Sequence, residues 1–479
     1  MIDCSSAPTP SDLLPAIKRM WSLSADKIRA IEQSCPPGSP SPVFTIDGRY
    51  TAQGWTEWTQ GFQYGAAALQ FDAAGDGEFL ELARERTLHI MAPHITHIGV
   101  HDHGFNNVST YGTLWRLARA GRYDASEYET HFYELALKAT GAVQAARWAR
   151  TVDGTGYIYS FNGPQSLFVD TIRSCRALAV SHMLGHELQG ERDERINLLG
   201  RIIEHTRNTA RFNIWYGGRS PFIPEGETRD HYDIRGRTAH ESVFNTNNGD
   251  YRCPSTQQGY SAFSTWTRGL AWAMLGFPEQ LEFLATIDDA ALHPFGGRDE
   301  IEGFMLEAAR ATCDFYIEHT PTCGVPYWDT GAPDLHKLGE YLDRPAEPYN
   351  EFEPVDSSAA AIGCQGLVRL AALLTERGDE TAAKRYLDAG LTSLRTLLDE
   401  PYLSTDGAHE GLLLHAVYHR PNGWDHVPGG RSIPCGESCM WGDYHLREAA
   451  LTVHRLAEGD AAYRFFGDAE QPTTVGAAS

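Results

Sequence analysis

The chain has few basic residues for its length and carries a strongly acidic balance. Its 479 residues include 40 Lys and Arg against 63 Asp and Glu, which gives a formal net charge of -23. Nucleic acids and anionic membrane surfaces are bound through basic surfaces, so the balance argues against both as partners. An anionic small molecule can still bind where local Arg and His residues reverse the field.

The sequence also lacks long apolar runs and paired cysteine motifs. No window approaches the roughly 18 apolar residues of a membrane helix, and no basic segment with an apolar core opens the chain. The nine cysteines are odd in number and form no CxxC pair, a pattern that fits free thiols in a reducing compartment. We therefore expect a cytoplasmic protein.

Helical periodicity dominates what is present. Strand-like alternation is sparse and best developed in GYIYSF at 156–161, whereas long segments rich in Gly, Pro, aromatic residues and His separate alternate helices. Helices are predicted near 11–34, 58–72, 77–92, 105–119, 125–149, 164–184, 190–211, 264–285, 299–319, 356–376, 379–398 and 437–457. About twelve helices with long loops on one side predict an all-α fold, an (α/α)6 barrel of six helical hairpins.

No linker divides the chain. The Pro/Ser-rich PPGSPSP at 36–42 is the best candidate boundary, and we interpret it as a loop between the first two helices. We expect one catalytic domain over residues 1–479, with a frayed tail at about 470–479.

The segment from Asn162 to Gly185 is the most informative stretch. One helical stripe is apolar, and the opposite stripe is small and polar, carrying Asp170, Arg173, Ser174, Ala177 and Ser181. This second stripe is unlike a Lys/Glu solvent face, so we expect it to line a cavity. An Asp in a first helical turn is also favoured by the helix dipole alone.

A second cluster gathers histidines around Asp102. His94, His97, His101 and His103 lie within ten residues of HITHIGVHDH. Imidazoles and a carboxylate at this density could bind zinc, although no HExxH spacing supports it. The simpler interpretation is that Asp102 caps the following helix, and a capping carboxylate can also face a pocket.

A third cluster, QQGYSAFSTWTRGLAW at 257–272, combines aromatic rings with a guanidinium. Arg268 and Trp272 share a helical face, and Trp266 precedes them. Such a group suits an anionic sugar, while a core aromatic cluster with a buried ion pair is the structural alternative. Asp356 is interpreted as a helix cap.

Together these motifs resemble a known family. HDHGF at 101–105, SLFVDTIR around Asp170, QGY with STWTRGLAW, PYWD, DSSAAAI and WGDYHLREA occur in the order found in the unsaturated glucuronyl hydrolases of glycoside hydrolase family 88. The matches span roughly residues 55 to 455. The resemblance implies an (α/α)6 barrel that removes a terminal 4,5-unsaturated uronic acid from oligosaccharides left by polysaccharide lyases, without metal or other cofactor.

The resemblance also implies roles for individual residues. Asp170 would be the general acid and base, and Asp102 the second essential carboxylate. The substrate-binding positions would be Trp58, His101, His240, Gln258, Trp266, Arg268 and Trp272. A family Trp before the catalytic Asp has no clear counterpart here, where Phe161 is the nearest candidate.

The implied chemistry is hydration of a vinyl ether. Asp170 would protonate C4 and therefore has to be neutral at the outset, so we expect Asp102 and a partly dry pocket to raise the pKa of Asp170. Arg268 and the histidines would offset the substrate carboxylate.

The alternative functions are an unsaturated rhamnogalacturonyl hydrolase, a barrel-fold sugar epimerase, a non-catalytic carbohydrate-binding protein and a metal-dependent hydrolase. The source polysaccharide and the oligomeric state stay open.

Overall fold

The computed structural model describes residues 1–54, 57–218 and 233–467, so the tail expected to fray at 470–479 lies outside the described residues. The α-helices are α1 (Pro10–Ser34), α2 (Gln60–Ala74), α3 (Gly77–Ile90), α4 (Ala92–Ile95), α5 (His103–Asn106), α6 (Thr113–Arg119), α7 (Glu127–Ala146), α8 (Thr171–Ser174), α9 (Arg176–Met183), α10 (Leu198–Asn213), α11 (Thr267–Leu284), α12 (Asp289–Leu292), α13 (Arg298–Glu318), α14 (Ser357–Glu376), α15 (Glu380–Leu397) and α16 (Met440–Glu458).

The strands are short and lie outside the helical core. They are β1 (Pro42–Ile46), β2 (Arg49–Ala52), β3 (Trp148–Arg150), β4 (Gly156–Ile158), β5 (Ser166–Phe168), β6 (Leu188–Gln189), β7 (Arg195–Ile196), β8 (Glu241–Phe244) and β9 (Tyr251–Ser255). They form antiparallel pairs and one sheet of three strands in the order β5, β8, β9.

Six inner helices close into a ring. Helix α2 packs on α5 and α6, α5 packs on α8 and α9, α8 packs on α11, α11 on α14, α14 on α16, and α16 returns to α2. Each inner segment is covered by an outer helix: α3, α7, α10, α13, α15 and α1. This arrangement is the predicted (α/α)6 barrel, and it explains the apolar, small-residue character of the inner helices.

Helix α14 shows how completely the ring buries its members. It is the one helix in the described ranges that is long and apolar enough to cross a membrane, but 89% of that window is buried inside the protein. Its hydropathy therefore reflects a position in the barrel core. The cap predicted for it is confirmed, because the Asp356 carboxylate accepts the backbone N–H of Ser358 at 3.0 Å.

Two predicted helices begin later than expected. The segment 164–184 opens with strand β5, which pairs with β8, and the helix starts only after Asp170 and is divided at Cys175. The segment 190–211 opens with the β6–β7 hairpin, and α10 begins after the capping residue Asn197. Pairing partners for β5 come from a distant part of the chain, so local periodicity could not reveal the strand.

Candidate active site

A cavity of about 470 Å³ opens where the inner helices begin. Trp58 precedes α2, Asp102 precedes α5, Asp170 precedes α8, Trp266 precedes α11, and Trp441 lies in the first turn of α16. The residues that line this cavity are Gly54, Glu57, Trp58, His97, Val100, His101, Asp102, Phe105, Phe161, Asp170, Gln257, Gln258, Trp266, Arg268, Trp272, Tyr418, His419 and Trp424.

The two carboxylates predicted to be essential share one imidazole. His101 Nε2 lies 3.3 Å from Asp170 Oδ1 and 3.7 Å from Asp102 Oδ1. All three side chains are buried. The structure therefore brings Asp102 and Asp170 to the same pocket, with His101 between them.

The protonation of this trio differs from the sequence-based expectation. Burial alone would raise the pKa of Asp170, but the hydrogen bond and positive charge of His101 outweigh burial, so this pKa lies below its ordinary value. Burial raises the pKa of Asp102, and the Asp170 charge adds to that effect. Burial would lower the pKa of His101, yet the two carboxylates raise it overall. The expected rise in the pKa of Asp170 is therefore wrong for the protein without substrate.

Neither carboxylate caps its helix. Asp102 and Asp170 occupy the positions just before α5 and α8, but neither side chain accepts a capping hydrogen bond. The interpretation of Asp102 as a helix cap is wrong, because its carboxylate faces His101 in the pocket. Both carboxylates therefore remain available for chemistry in the pocket.

Close backbone packing fixes the position of His101. A Cβ added to Gly104 would lie 2.2 Å from the carbonyl oxygen of Ser174, so α5 and α8 can approach this closely only with glycine there. The His101 carbonyl accepts hydrogen bonds from Ser174 Oγ at 2.6 Å and from Gln144 Nε2 at 2.9 Å. These bonds hold the segment that carries Asp102 against the helix that carries Asp170.

The polar stripe after Asp170 does not line the cavity. Arg173, Ser174, Ala177 and Ser181 are all buried, and none of them belongs to the pocket lining. They pack between inner helices, and Arg173 pairs with two buried carboxylates of α11 and α16. The prediction that this whole face lines a cavity is wrong beyond Asp170, because the barrel buries small polar faces as helix contacts.

His240 lies near Oδ2 of Asp170, whereas His101 contacts Oδ1. Its Nδ1 accepts the backbone N–H groups of Gln257 at 3.1 Å and Gln258 at 3.3 Å, which places the ring proton on Nε2. That Nε2 lies 4.0 Å from Asp170 Oδ2 and makes no hydrogen bond to any described residue. Burial lowers the pKa of His240 to about 4, so the ring is a neutral donor beside Asp170.

Arg268 is held by protein groups around it. Its guanidinium lies 3.2 Å from Asp356, donates to Gln258 Oε1 at 2.7 Å, and stacks between the rings of Trp266 and Trp441. It also donates to the backbone carbonyls of residues 417 and 418. Arg268 therefore lines the pocket with its charge directed at Asp356, so the core ion-pair interpretation of this cluster describes the geometry.

Aromatic rings form one wall of the pocket. Trp58 stacks on Trp441 with ring centroids 4.9 Å apart and planes at 27°, and Phe105 lies 4.9 Å from Trp272. Phe161 stacks over His101 at 6.0 Å with planes at 20°. Flat rings of this kind suit the faces of a sugar ring.

Several lining residues were missed in the sequence. Glu57 adds a third carboxyl, whose pKa is raised by burial and by the nearby Asp102 charge. Tyr418, His419 and Trp424 reach the pocket from the long segment before α16. The composition of that segment, aromatic and His-rich, was the available signal, but nothing local identified which of its residues turn inward.

Of the remaining histidines of the HITHIGVHDH cluster, His97 lines the pocket, and His94 and His103 bind protein groups. His94 Nε2 lies 2.8 Å from Gln60 Oε1, and His103 contacts Thr140 Oγ1 at 2.7 Å and the His97 carbonyl at 3.1 Å. In the described residues this cluster does not assemble as a metal site. Burial lowers the pKa values of His94 and His103 to about 4 and about 3, so both serve as neutral core histidines.

A second cavity of about 420 Å³ lies at the opposite ends of α6 and α16. Its arginines include Arg116, Arg122 and Arg455, which converge on the buried carboxylate of Asp72. Arginines also favour helix C-termini, where the dipole is negative. None of the carboxylate and histidine pairs described above reaches this cavity, so the chemistry lies at the other end of the barrel.

Comparison with known proteins agrees with the family resemblance of the sequence motifs. No family model matches the chain. It is 26% identical over 419 residues to the unsaturated glucuronyl hydrolase of Bacillus sp. strain GL1, covering 86% of this chain and 90% of the relative. It is 25% identical over 426 residues to the unsaturated chondroitin disaccharide hydrolase of Streptococcus pyogenes serotype M1, covering 87% and 86%.

The fold is shared over nearly the whole chain. The crystal structure of the unsaturated glucuronyl hydrolase from Bacillus sp. GL1 superposes with a TM-score of 0.66 at 22% identity, covering 94% of this chain and 97% of that one. The ordered sequence motifs, the full-length sequence relatives and the barrel agree with one another. Along most of its length, this chain is therefore similar to the unsaturated glucuronyl hydrolases, as the motif resemblance to glycoside hydrolase family 88 implied.

Proposed function

We propose that the protein hydrates the alkene of a terminal 4,5-unsaturated uronic acid and so releases it from a lyase-generated oligosaccharide. The observation that carries this proposal is the pair Asp102 and Asp170 on one imidazole, His101, inside an aromatic pocket. The direct test follows the absorbance of the alkene during incubation with unsaturated glucuronyl disaccharides. A stable absorbance with every disaccharide would contradict the proposal.

The reaction requires one proton donor and one water. Asp170 protonates C4 of the vinyl ether, and the positive charge develops at C5 and the ring oxygen. Water then adds to C5 and gives its proton to the Asp170 carboxylate, which returns to the neutral form. The hemiketal opens by breaking the bond from C5 to the ring oxygen, and the hemiacetal left at C1 expels the remaining sugar.

His101 supplies the proton that Asp170 lacks in the free protein. Without substrate the pair is ionic, because the imidazole lies 3.3 Å from the carboxylate and holds its pKa low. A bound sugar expels water, and removal of water favours the neutral form of a close ion pair. The proton therefore moves from His101 Nε2 to Asp170 when substrate binds, and the three groups titrate as one unit.

Arg268 in the pocket lining and His240 beside Asp170 are donors that can offset the substrate carboxylate. Arg268 is directed at Asp356 and its neighbours, so it is less available than the sequence indicated. His240 adds an uncommitted Nε2–H beside Asp170. These donors attract an anionic sugar in an otherwise acidic protein.

This scheme predicts a falling alkaline limb in the pH profile. The pKa of His101 is raised above its ordinary value by the two carboxylates, so the pair still holds its proton at that ordinary value and loses it as the pH rises through the raised pKa. We expect kcat/KM to be level near the ordinary His value of about 6.5 and to fall at higher pH. His101→Gln should lower kcat/KM and move the limb to lower pH. In this variant the last proton lies on a carboxyl group, whose ordinary pKa is well below that of an imidazole. An unchanged limb in His101→Gln would show that another group controls it.

The aglycone is the open part of the proposal. The relatives described above carry glucuronyl and chondroitin disaccharide names, and an unsaturated rhamnogalacturonyl disaccharide is the alternative substrate. A panel of lyase-generated disaccharides, compared by kcat/KM, distinguishes these substrates. We expect the highest value with an unsaturated glucuronyl disaccharide, and a preference for the rhamnogalacturonyl form would replace the assignment.

A further inference from the structure

A second group of potential ligands lies outside the active site, between a hairpin and a loop. Asp47 stands in the turn that joins β1 to β2, and His426 and Glu437 belong to the segment before α16. One ligand atom from each of these residues lies within 4.8 Å of the other two. His426 Nε2 and Asp47 Oδ1 are 3.2 Å apart.

The positions of His426 Nε2 and Asp47 Oδ1 are those expected of two ligands of the same metal ion. Although Nε2 lies this close to a carboxylate oxygen, the atom is buried and makes no hydrogen bond to any described residue. Its direction therefore misses Asp47, and a buried polar atom without a partner needs an ion or a water to satisfy it. Ligand atoms around a tetrahedral ion bound at about 2.0–2.1 Å lie roughly 3.3 Å from one another. The 3.2 Å between His426 Nε2 and Asp47 Oδ1 fits that spacing.

Glu437 is held in place by its own neighbours. Its Oε2 accepts hydrogen bonds from Thr45 Oγ1 and from the backbone N–H of Gly48 at 3.2 Å, and His409 Nε2 lies 3.7 Å away. His409 Nδ1 accepts the Gly411 N–H at 3.0 Å, which places the His409 proton on Nε2. The bonds from Thr45 and Gly48 orient Glu437 through Oε2 and leave the other carboxylate oxygen for a ligand.

We propose that Asp47, His426 and Glu437 bind a zinc ion, with water completing the coordination. An imidazole with two carboxylates suits zinc, whereas calcium and magnesium prefer oxygen ligands alone. The ion ties the β1–β2 turn to the loop whose earlier residues, His419 and Trp424, line the active-site pocket. Zinc binding is independent of the reaction, and only its consequence for the pocket rests on the proposed function.

Isothermal titration with ZnCl₂ tests the site on the untagged, EDTA-treated full chain. We expect His426→Gln and Asp47→Asn to remove one zinc site or weaken it by about 10- to 100-fold, while circular dichroism stays unchanged. Asp47 is an exposed turn residue, so its variant keeps the proposal testable if His426→Gln folds poorly. His454→Gln is the matched control, because His454 also faces a carboxylate, Glu458, at 3.8 Å. Equal zinc stoichiometry and affinity in all four proteins would overturn the proposal, as would no zinc binding by the wild type.

The consequence for the pocket has its own measurement. Removing zinc is expected to raise KM for an unsaturated disaccharide several-fold and to leave kcat within twofold, since the ion holds a wall of the pocket and does not touch the reacting atoms. A zinc-dependent kcat with unchanged KM would contradict this positioning role. Zinc binding without turnover of any disaccharide would refute the proposed function and leave the metal site standing.

Discussion

Asp170→Asn is expected to lower kcat by about 10⁴-fold, the upper end of the range for a general acid and base. The amide keeps the size of the side chain but can neither deliver a proton to C4 nor accept one from water. The side chain makes no capping bond, so the start of α8 does not depend on it. The melting temperature should therefore stay close to that of the wild type, and the loss of alkene absorbance under single-turnover conditions gives the rate.

Asp102→Asn is the informative comparison for this variant. Asp102 has the raised pKa in the free protein, and it faces the same imidazole as Asp170. Asp102 raises the pKa of His101 and does not itself transfer a proton to carbon. Asp102→Asn should therefore retain more activity than Asp170→Asn. The opposite order of the two rates would make Asp102 the proton donor.

Arg173→Met is expected to destabilise the protein by about 3–5 kcal/mol, because it leaves buried carboxylates without their main partner. Arg173 is fully buried and contacts Glu279 at 3.0 Å and Glu448 at 2.6 Å. Arg176 also lies near these two carboxylates, at 4.0 and 3.7 Å, but is more distant than Arg173. Chemical denaturation monitored by circular dichroism measures the free energy of unfolding.

Arg195→Met is the matched control for Arg173→Met. Arg195 pairs with Glu187 at 2.6 Å on the surface, with 80% of its side chain exposed. Exposed ion pairs contribute at most about 1 kcal/mol, so this variant should unfold close to the wild type. Equal stabilities of the two variants would show that the buried cluster does not depend on Arg173.

The fold was predictable because helices in a barrel carry their own periodic signal. Ten of the predicted helices match the structure within a few residues, among them those that became α11 and α14. Strand-like alternation was detected at 156–161, where the structure has β4 (Gly156–Ile158), but the other strands depend on distant pairing partners and carry no comparable local signal. Strand β5 pairs with residues more than seventy positions away, and the β1–β2 hairpin arose in what looked like a loop.

The site was predictable in its residues and less so in its electrostatics. Asp102, Asp170 and His101 follow from ordered motifs, and the structure places them together. Their protonation depends on three-dimensional distances to one imidazole, which no sequence spacing contains. The same holds for Arg268, whose partner Asp356 lies 88 positions away along the chain. Sequence patterns located the groups, and packing determined their charges.

The hydration of the alkene is tested most directly by proton NMR of the reaction in D₂O. An unsaturated glucuronyl disaccharide incubated with the wild type should lose its vinyl H4 signal at the same rate as the free reducing sugar appears, with deuterium entering C4 of the released uronate. Release of the reducing sugar while the vinyl H4 signal persists would show direct cleavage of the glycosidic bond and contradict the proposed reaction.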